Sequence, residues 1–214
     1  MKPTIAIFIH DPQCETECAL GMIDGLIREF DIRTFGLDNL TFEFLLDFDA
    51  VCFPGGMGDS DDFHNIFTDE HILAVQKYVE HAEGKYFGIC MGAYWAGPYY
   101  FDLVTELEVG QYIERSTGDI TFEGPTTATV EWLGNTEWMY FYDGCAILGE
   151  DMDVIATYAN GDAMAAIQRN VGMIGCHPES LEWWFIEGDM DASLYDPRHA
   201  DLMSDFLKRL VNND

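Results

Sequence analysis

Tyr86-Phe87-Gly88-Ile89-Cys90-Met91-Gly92-Ala93-Tyr94 is the stretch on which the reading of the whole chain turns. Tyr86 to Ile89 is a short, nearly continuous apolar run, as expected of a strand buried on both faces. It leads straight into Cys90 and a segment of helical character. A cysteine on so sharp a strand-to-helix turn is held up into the cleft at the end of a sheet. Gly88 and Gly92, on either side, let the crowded backbone close that turn without Cβ clashes. The following helix start places partial positive charge beside the sulfur, and the backbone N–H of Met91 would face an oxyanion on any acyl group carried by Cys90. A small buried cysteine at a glycine-rich strand end has the same local sequence, so the flanking chain must decide.

Upstream, strand and helix patterns alternate. Thr4 to Ile9 is a short apolar run. From Glu15 to Phe30, the residues Cys18, Ala19, Met22, Ile23, Leu26, Ile27 and Phe30 recur at helical spacing. Ile32 to Leu37 and Ala50 to Phe53 read as strands, the latter ending at Pro54-Gly55-Gly56. Thr68 caps a helix with an apolar face of Ile72, Val75, Tyr78 and Val79, stopped by Gly84. Downstream, the β-prone runs are Ile120–Phe122, Thr127–Trp132, Trp138–Tyr142, Val154–Tyr158 and Ala163–Ile167, with turn residues between them. Val171 to Cys176 is a further strand that runs into His177, and Ala200 to Leu210 is a closing amphipathic helix. The expected architecture is α/β: a mostly parallel central sheet covered on both faces, with additional β-strands in the second half. No internal repeat, low-complexity linker or composition break divides the chain, so residues 1–214 read as a single domain.

Composition narrows the function classes. Of 214 residues, 39 are acidic and 10 are Lys or Arg, a formal charge of −29. That field repels phosphate backbones and anionic lipid, so nucleic acid and membrane surfaces are not the expected partners. The 48% hydrophobic content argues against an acidic disordered tail. No apolar run reaches the length of a membrane span, and the first run ends too early for a signal-peptide core. Six scattered cysteines without an export signal read as reduced thiols in a cytoplasmic protein.

A thiol nucleophile needs a base, and the base needs a group that orients it. His177-Pro178-Glu179 supplies both, because a carboxylate two residues on, across a proline-stiffened turn, can accept the imidazole N–H. The Gly55-Gly56 turn suits a second oxyanion donor, from the N–H of Gly56. Each of these motifs alone also fits an ordinary surface tripeptide or a strand-ending turn.

Together, Phe53-Pro54-Gly55-Gly56, Gly88-Ile89-Cys90-Met91-Gly92-Ala93-Tyr94, Tyr140-Phe141-Tyr142-Asp143-Gly144 and the run from Ala156-Thr157-Tyr158 to Gly175-Cys176-His177-Pro178-Glu179 resemble the class I glutamine amidotransferase-like superfamily. Within it they look most like the biotin-protein ligase N-terminal-domain branch. The resemblance spans about residues 3 to 185. It implies a flavodoxin-like three-layer sandwich and a Cys90–His177–Glu179 triad working through a thioester on an amide-type substrate, with no cofactor and no metal. It also implies a pocket that includes Gly55, Tyr142 and Asp143. One position departs from the pattern: where glutaminases of this superfamily carry a substrate-holding glutamine, this chain has Tyr94, so a different small-molecule or peptide amide is expected as substrate. The chain has no room for an ammonia-accepting synthetase domain, so any acceptor enzyme is a separate protein.

Related peptidase and deglycase folds place a glutamate from the loop after the first strand against the nucleophile, a role open to Glu15 or Glu17. Cys14, Cys18 and His10 form no paired zinc motif, and the acidic loop Gly58–Asp62 lacks the acidic residue that closes an EF-hand. Trp183-Trp184-Phe185 reads as core or subunit interface. Two rival functions stand beside the enzyme. One is a catalytically silent binding or regulatory domain of the same fold, in which Cys90 would be unreactive. The other is an acidic, nucleic-acid-mimicking interaction protein, which would co-purify with a basic partner in a salt-sensitive way.

Overall fold

A sheet covered on both faces needs strands whose alternate residues feed two different cores, and the strands of this chain do so. The computed structural model describes residues 2–10, 16–56 and 60–212. Its first half runs β1 (Thr4–Phe8), α1 (Thr16–Leu26), β2 (Asp31–Phe35), α2 (Phe42–Leu45), β3 (Ala50–Phe53), α3 (Ser60–Ile66), α4 (Asp69–His81), β4 (Lys85–Ile89) and α5 (Met91–Trp95). Ile5, Ile7, Ala50, Cys52, Phe87 and Ile89 point into one core with Met22 and Leu26 of α1. Their neighbours Ala6, Phe8, Val51, Phe53 and Tyr86 point into the other, with Val75, Tyr78 and Val79 of α4 and Trp95 of α5. Two helical layers on one sheet make the three-layer, flavodoxin-like arrangement.

The second half adds β5 (Glu108–Gln111), β6 (Thr126–Trp132), β7 (Asn135–Phe141), β8 (Cys145–Leu148), β9 (Asp153–Tyr158), β10 (Ala163–Gln168), β11 (Val171–Ile174), α6 (Glu182–Glu187) and α7 (Arg198–Val211). The sheet order is β2-β1-β3-β4-β11-β10-β9-β6-β7, with β8 on β10 and β5 on β8. Strands β2, β1, β3, β4 and β11 pair in parallel. The remaining pairs are antiparallel and extend the same sheet. Met203, Phe206, Leu207 and Leu210 of α7 close the core that α1 also covers.

Several local readings are corrected. Ile120–Phe122 is no strand: Ile120 is buried, Phe122 is 61% exposed, and the segment pairs with no neighbour in the sheet. The short β5 and β8 carry weak signals of their own and form a ladder with each other, Val109 opposite Ile147. The first helix ends at Leu26 rather than Phe30, whose ring is buried from the turn that follows. The Thr68 cap is realised as a capping box, with His71 at its third helical position. Among the described residues, no helix is long and apolar enough to cross a membrane.

Register positions the site. Phe53 lies opposite Gly88, and Ile89 opposite Ile174. The carboxyl ends of β3, β4 and β11 therefore finish side by side, where ligands bind in open α/β sheets. The elbow is closed by two contacts that exclude any side chain. A Cβ on Gly88 would collide with the carbonyl of Gly92, and one on Gly92 with the carbonyl of Phe53. Gly92→Ala should accordingly lower the unfolding free energy by about 1–3 kcal/mol in urea titration. Gly110→Ala, whose nearest new contact is 3.5 Å, should change it by less than about 0.5 kcal/mol.

Candidate active site

Cys90 caps α5 with φ 48° and ψ −108°, a conformation that costs a side-chain-bearing residue about 1–3 kcal/mol. The surroundings hold it there. Its N–H donates to Ile174 O at 2.8 Å, and its carbonyl accepts from the N–H groups of Ala93 and Tyr94 at 2.9 and 3.0 Å. Its thiol donates to Tyr142 O at 3.6 Å.

His177 follows β11, three residues beyond the strand's last residue, Ile174. Its backbone N–H donates to Tyr140 O at 2.9 Å. Its ring Nδ1–H donates to Glu179 Oε1 at 2.8 Å, with both side chains buried. The rings of Tyr140 and Trp184 stand edge-on to the imidazole, with centroids 5.8 and 5.7 Å away. Gly55 packs against the imidazole: a Cβ there would lie 2.6 Å from His177 Cε1.

Burial pulls the His177 imidazole down, but the charges of Cys90 and Glu179 and hydrogen bonds to both outweigh it. The ring therefore stands well above the ordinary histidine value. The protonated ring is thus held by a carboxylate at Nδ1 and by the Cys90 sulfur as a second partner. The thiols of Cys52, Cys145 and Cys176 are pushed up by burial, which keeps them inert. Cys176, two residues beyond the end of β11 rather than in the strand, is fully buried, and its thiol lies 3.8 Å from Tyr158 Oη.

Beside this group opens a cleft of about 530 Å³. Gly56, Tyr142 and His177 line it, together with Glu17, Cys18, Pro125, Tyr140, Trp183, Trp184, Glu187 and Gly188. Cys90 (5% exposed) and Met91 (9%) do not form its wall. Tyr94 and Asp143 bond to each other instead: Tyr94 Oη–H donates to Asp143 O at 3.1 Å, and Gln111 Nε2 donates to Asp143 Oδ2 at 2.8 Å. Burial raises the Asp143 carboxyl, opposed by the Gln111 hydrogen bond, and burial likewise raises the Tyr94 phenol. Glu15 and Cys14 lie outside the described residues, as do Gly58 and Asp59 of the acidic loop. The core expectation for Trp183-Trp184-Phe185 holds for Trp184 and Phe185, which pack in a small buried cluster with Tyr140, and a cleft-lining role is added to it. Trp184 and Phe185 are buried, but both tryptophans wall the cleft, because α6 begins just after the His177-Pro178-Glu179 turn. Their closeness in sequence to that turn was the available signal.

Two groups of described residues bring metal-ligand types within 4.8 Å of one another: Cys18, His177 and Glu179, and Glu137, Asp196 and His199. In the first, His177 Nδ1 already bonds Glu179. In the second, Arg198 supplies the positive charge by bonding Asp196 and lying 3.6 Å from Glu137.

No protein-family model and no curated protein sequence matches the chain. Solved structures do match in fold. A glutamine amidotransferase crystal structure is 20% identical, with TM-score 0.65, covering 97% of this chain and 98% of that one. A glutamine amidotransferase from Thermotoga maritima is 11% identical, with TM-score 0.65 and both chains covered completely. The same fold forms 29% of a β-galactosidase from the psychrophilic Marinomonas ef1, at 11% identity and TM-score 0.54 over 98% of this chain. The likeness is therefore one of fold, and fold alone does not assign chemistry.

Two outcomes follow from the charge arrangement. At about pH 6, iodoacetamide should label Cys90 at least tenfold faster than Cys52, Cys145 or Cys176, read by peptide mass, and His177→Ala should remove that advantage. A histidine raised on folding stabilises fully below its unfolded value of about 6.5 and loses that contribution as pH rises through its folded value. The stability deficit of Glu179→Gln relative to the parent protein, measured in urea, should therefore be larger at about pH 6 than at about pH 10.

Proposed function

We propose that this chain is a cysteine-dependent hydrolase or acyl-transfer enzyme of the class I glutamine amidotransferase-like superfamily, in its biotin-protein ligase N-terminal-domain-like branch, acting on the C–N bond of an amide. The observation that carries the reading is the strained Cys90 at the elbow beside a buried His177–Glu179 pair. Cys90 sulfur attacks the carbonyl carbon, and the oxyanion is held by the N–H groups of Met91 and Gly56. His177, carrying the thiol's proton, delivers it to the departing amine as the C–N bond breaks, leaving a thioester on Cys90. Water then attacks the thioester, giving its proton to His177, and the acid leaves as the thiol is restored. Glu179 holds the imidazole in place through both steps. Tyr94, in place of the glutaminase-pattern glutamine, points away from free glutamine as donor. In the acyl- or amine-transfer version, the acceptor is a separate protein.

A second reading, the catalytically silent binding domain, draws on one observation: Cys90 is 5% exposed and absent from the cleft wall. An activated ester separates the two. With p-nitrophenyl acetate, an enzyme should release one equivalent of nitrophenolate in a burst, with the acetyl group mapped to Cys90 by mass. Cys90→Ser should abolish the burst, and His177→Ala should slow it by about 100-fold or more. Absence of the burst in the parent protein overturns the enzyme reading in favour of the silent domain.

A further inference from the structure

We propose that the cleft beside His177 selects a small amide bearing a cationic group and no free carboxylate; the inference rests on the acyl-transfer reading for its amide and on the cleft itself for its charge preference. Among the described residues the wall carries two exposed carboxylates, Glu17 and Glu187, and no lysine or arginine. A free amino-acid donor would bring a carboxylate into this space, where the one cationic group among the described wall residues, His177, is already paired with Glu179, against a chain whose formal charge is −29. A cationic ligand meets attraction from both sources.

The apolar part of the wall points the same way. Tyr140, Tyr142, Trp183 and Trp184 form a largely aromatic surface, with ring centroids 5.5 Å apart for Tyr140 and Trp184 and 6.0 Å for the two tryptophans. Trp183 and Tyr142 leave 40% and 41% of their surface exposed. Ring faces of this kind attract ammonium or guanidinium groups that come within about 6 Å of a centroid, and indole does so best. Trp184 adds an independent sign of a ligand. It is 7% exposed, it lines the cleft, and its Nε1–H is buried with no hydrogen-bond partner among the described residues. A buried N–H donor without an acceptor is costly, and a ligand oxygen would satisfy it. The volume of about 530 Å³ suits a small molecule rather than a polypeptide surface.

A series of N-acetyl amines matched in four-carbon chain length tests the charge preference in the Cys90→Ser protein, so that binding is read without turnover. N-acetylputrescine supplies the cation, N-butylacetamide the neutral analogue, and N-acetyl-γ-aminobutyrate the anion, with L-glutamine alongside. Calorimetry should give the cation at least about tenfold tighter binding than the neutral amide, and weaker binding still for the anion and glutamine. Glu17→Gln combined with Glu187→Gln should reduce cation affinity about fivefold or more, leave N-butylacetamide unchanged, and flatten the salt dependence. Trp183→Ala should weaken the cation more than the neutral amide. Equal affinity for anion and cation, a preference untouched by the two Glu→Gln changes, or no binding of N-acetylputrescine up to about 10 mM overturns the inference. Because these are binding measurements, their failure is separate from failure of the ester burst, which bears on the acyl-transfer reading alone.

Discussion

The close approach of Gly92 to the carbonyl of Phe53 is the constraint on which the rest of the site depends. It seats the start of α5 on the end of β3, at the turn where Cys90 takes its positive-φ conformation. The same crowding leaves no room for a side chain at Gly88. A looser turn would let Cys90 relax to ordinary geometry and lower its sulfur into the strand end. The stored strain is small beside the burial of the surrounding aromatic core, where Phe53 stacks on Tyr86 with centroids 5.1 Å apart. Local strain of this size persists only where the neighbouring structure over-determines it, as the hydrogen bond from Cys90 N to Ile174 O does here.

Electrostatics builds on that frame. Burying an imidazole disfavours its charge, yet His177 is raised, because the charges of the Cys90 sulfur and the Glu179 carboxylate, with hydrogen bonds to both, outweigh burial. The arrangement is a three-body one: removing Glu179 would leave a buried histidine facing a thiol alone. The aromatic edges of Tyr140 and Trp184 exclude water from the pair and strengthen each interaction within it. Neighbouring structures of the same fold include glutamine amidotransferases and part of a β-galactosidase, so the chemistry has to be argued from this group of residues.

Much of this was legible in the chain. The alternation of Ile5 and Ile7 with Ala6 and Phe8, and of Ala50 and Cys52 with Val51 and Phe53, encodes a sheet with two covered faces. The Thr68 cap and the closing helix carry strong local signals, and both are realised. Legibility failed where an element is stabilised by its partner. Strands β5 and β8 exist as a ladder, and Ile120–Phe122, with comparable β propensity, finds no neighbour. In the candidate site, Cys90, His177 and Glu179 stand out through glycine and proline, which mark backbone demands. Trp183, Trp184 and Glu187 do not, since an aromatic pair in sequence fits a core as well as a cleft.

The sequence by itself determined the periodicities, the elbow glycines and the His-Pro-Glu turn, because these depend on sterics within a few residues. It also determined the charge, which no folding can alter. Only the tertiary structure decided that β11 lies beside β4, with Ile174 opposite Ile89, so that residues from distant parts of the chain end at one edge. It alone decided that α6 turns its tryptophans onto the cleft, and that Tyr94 bonds the Asp143 carbonyl. The physical reason is common to all three. Strand order and helix docking are chosen by burial of surface contributed from everywhere in the chain, a sum that no local window contains.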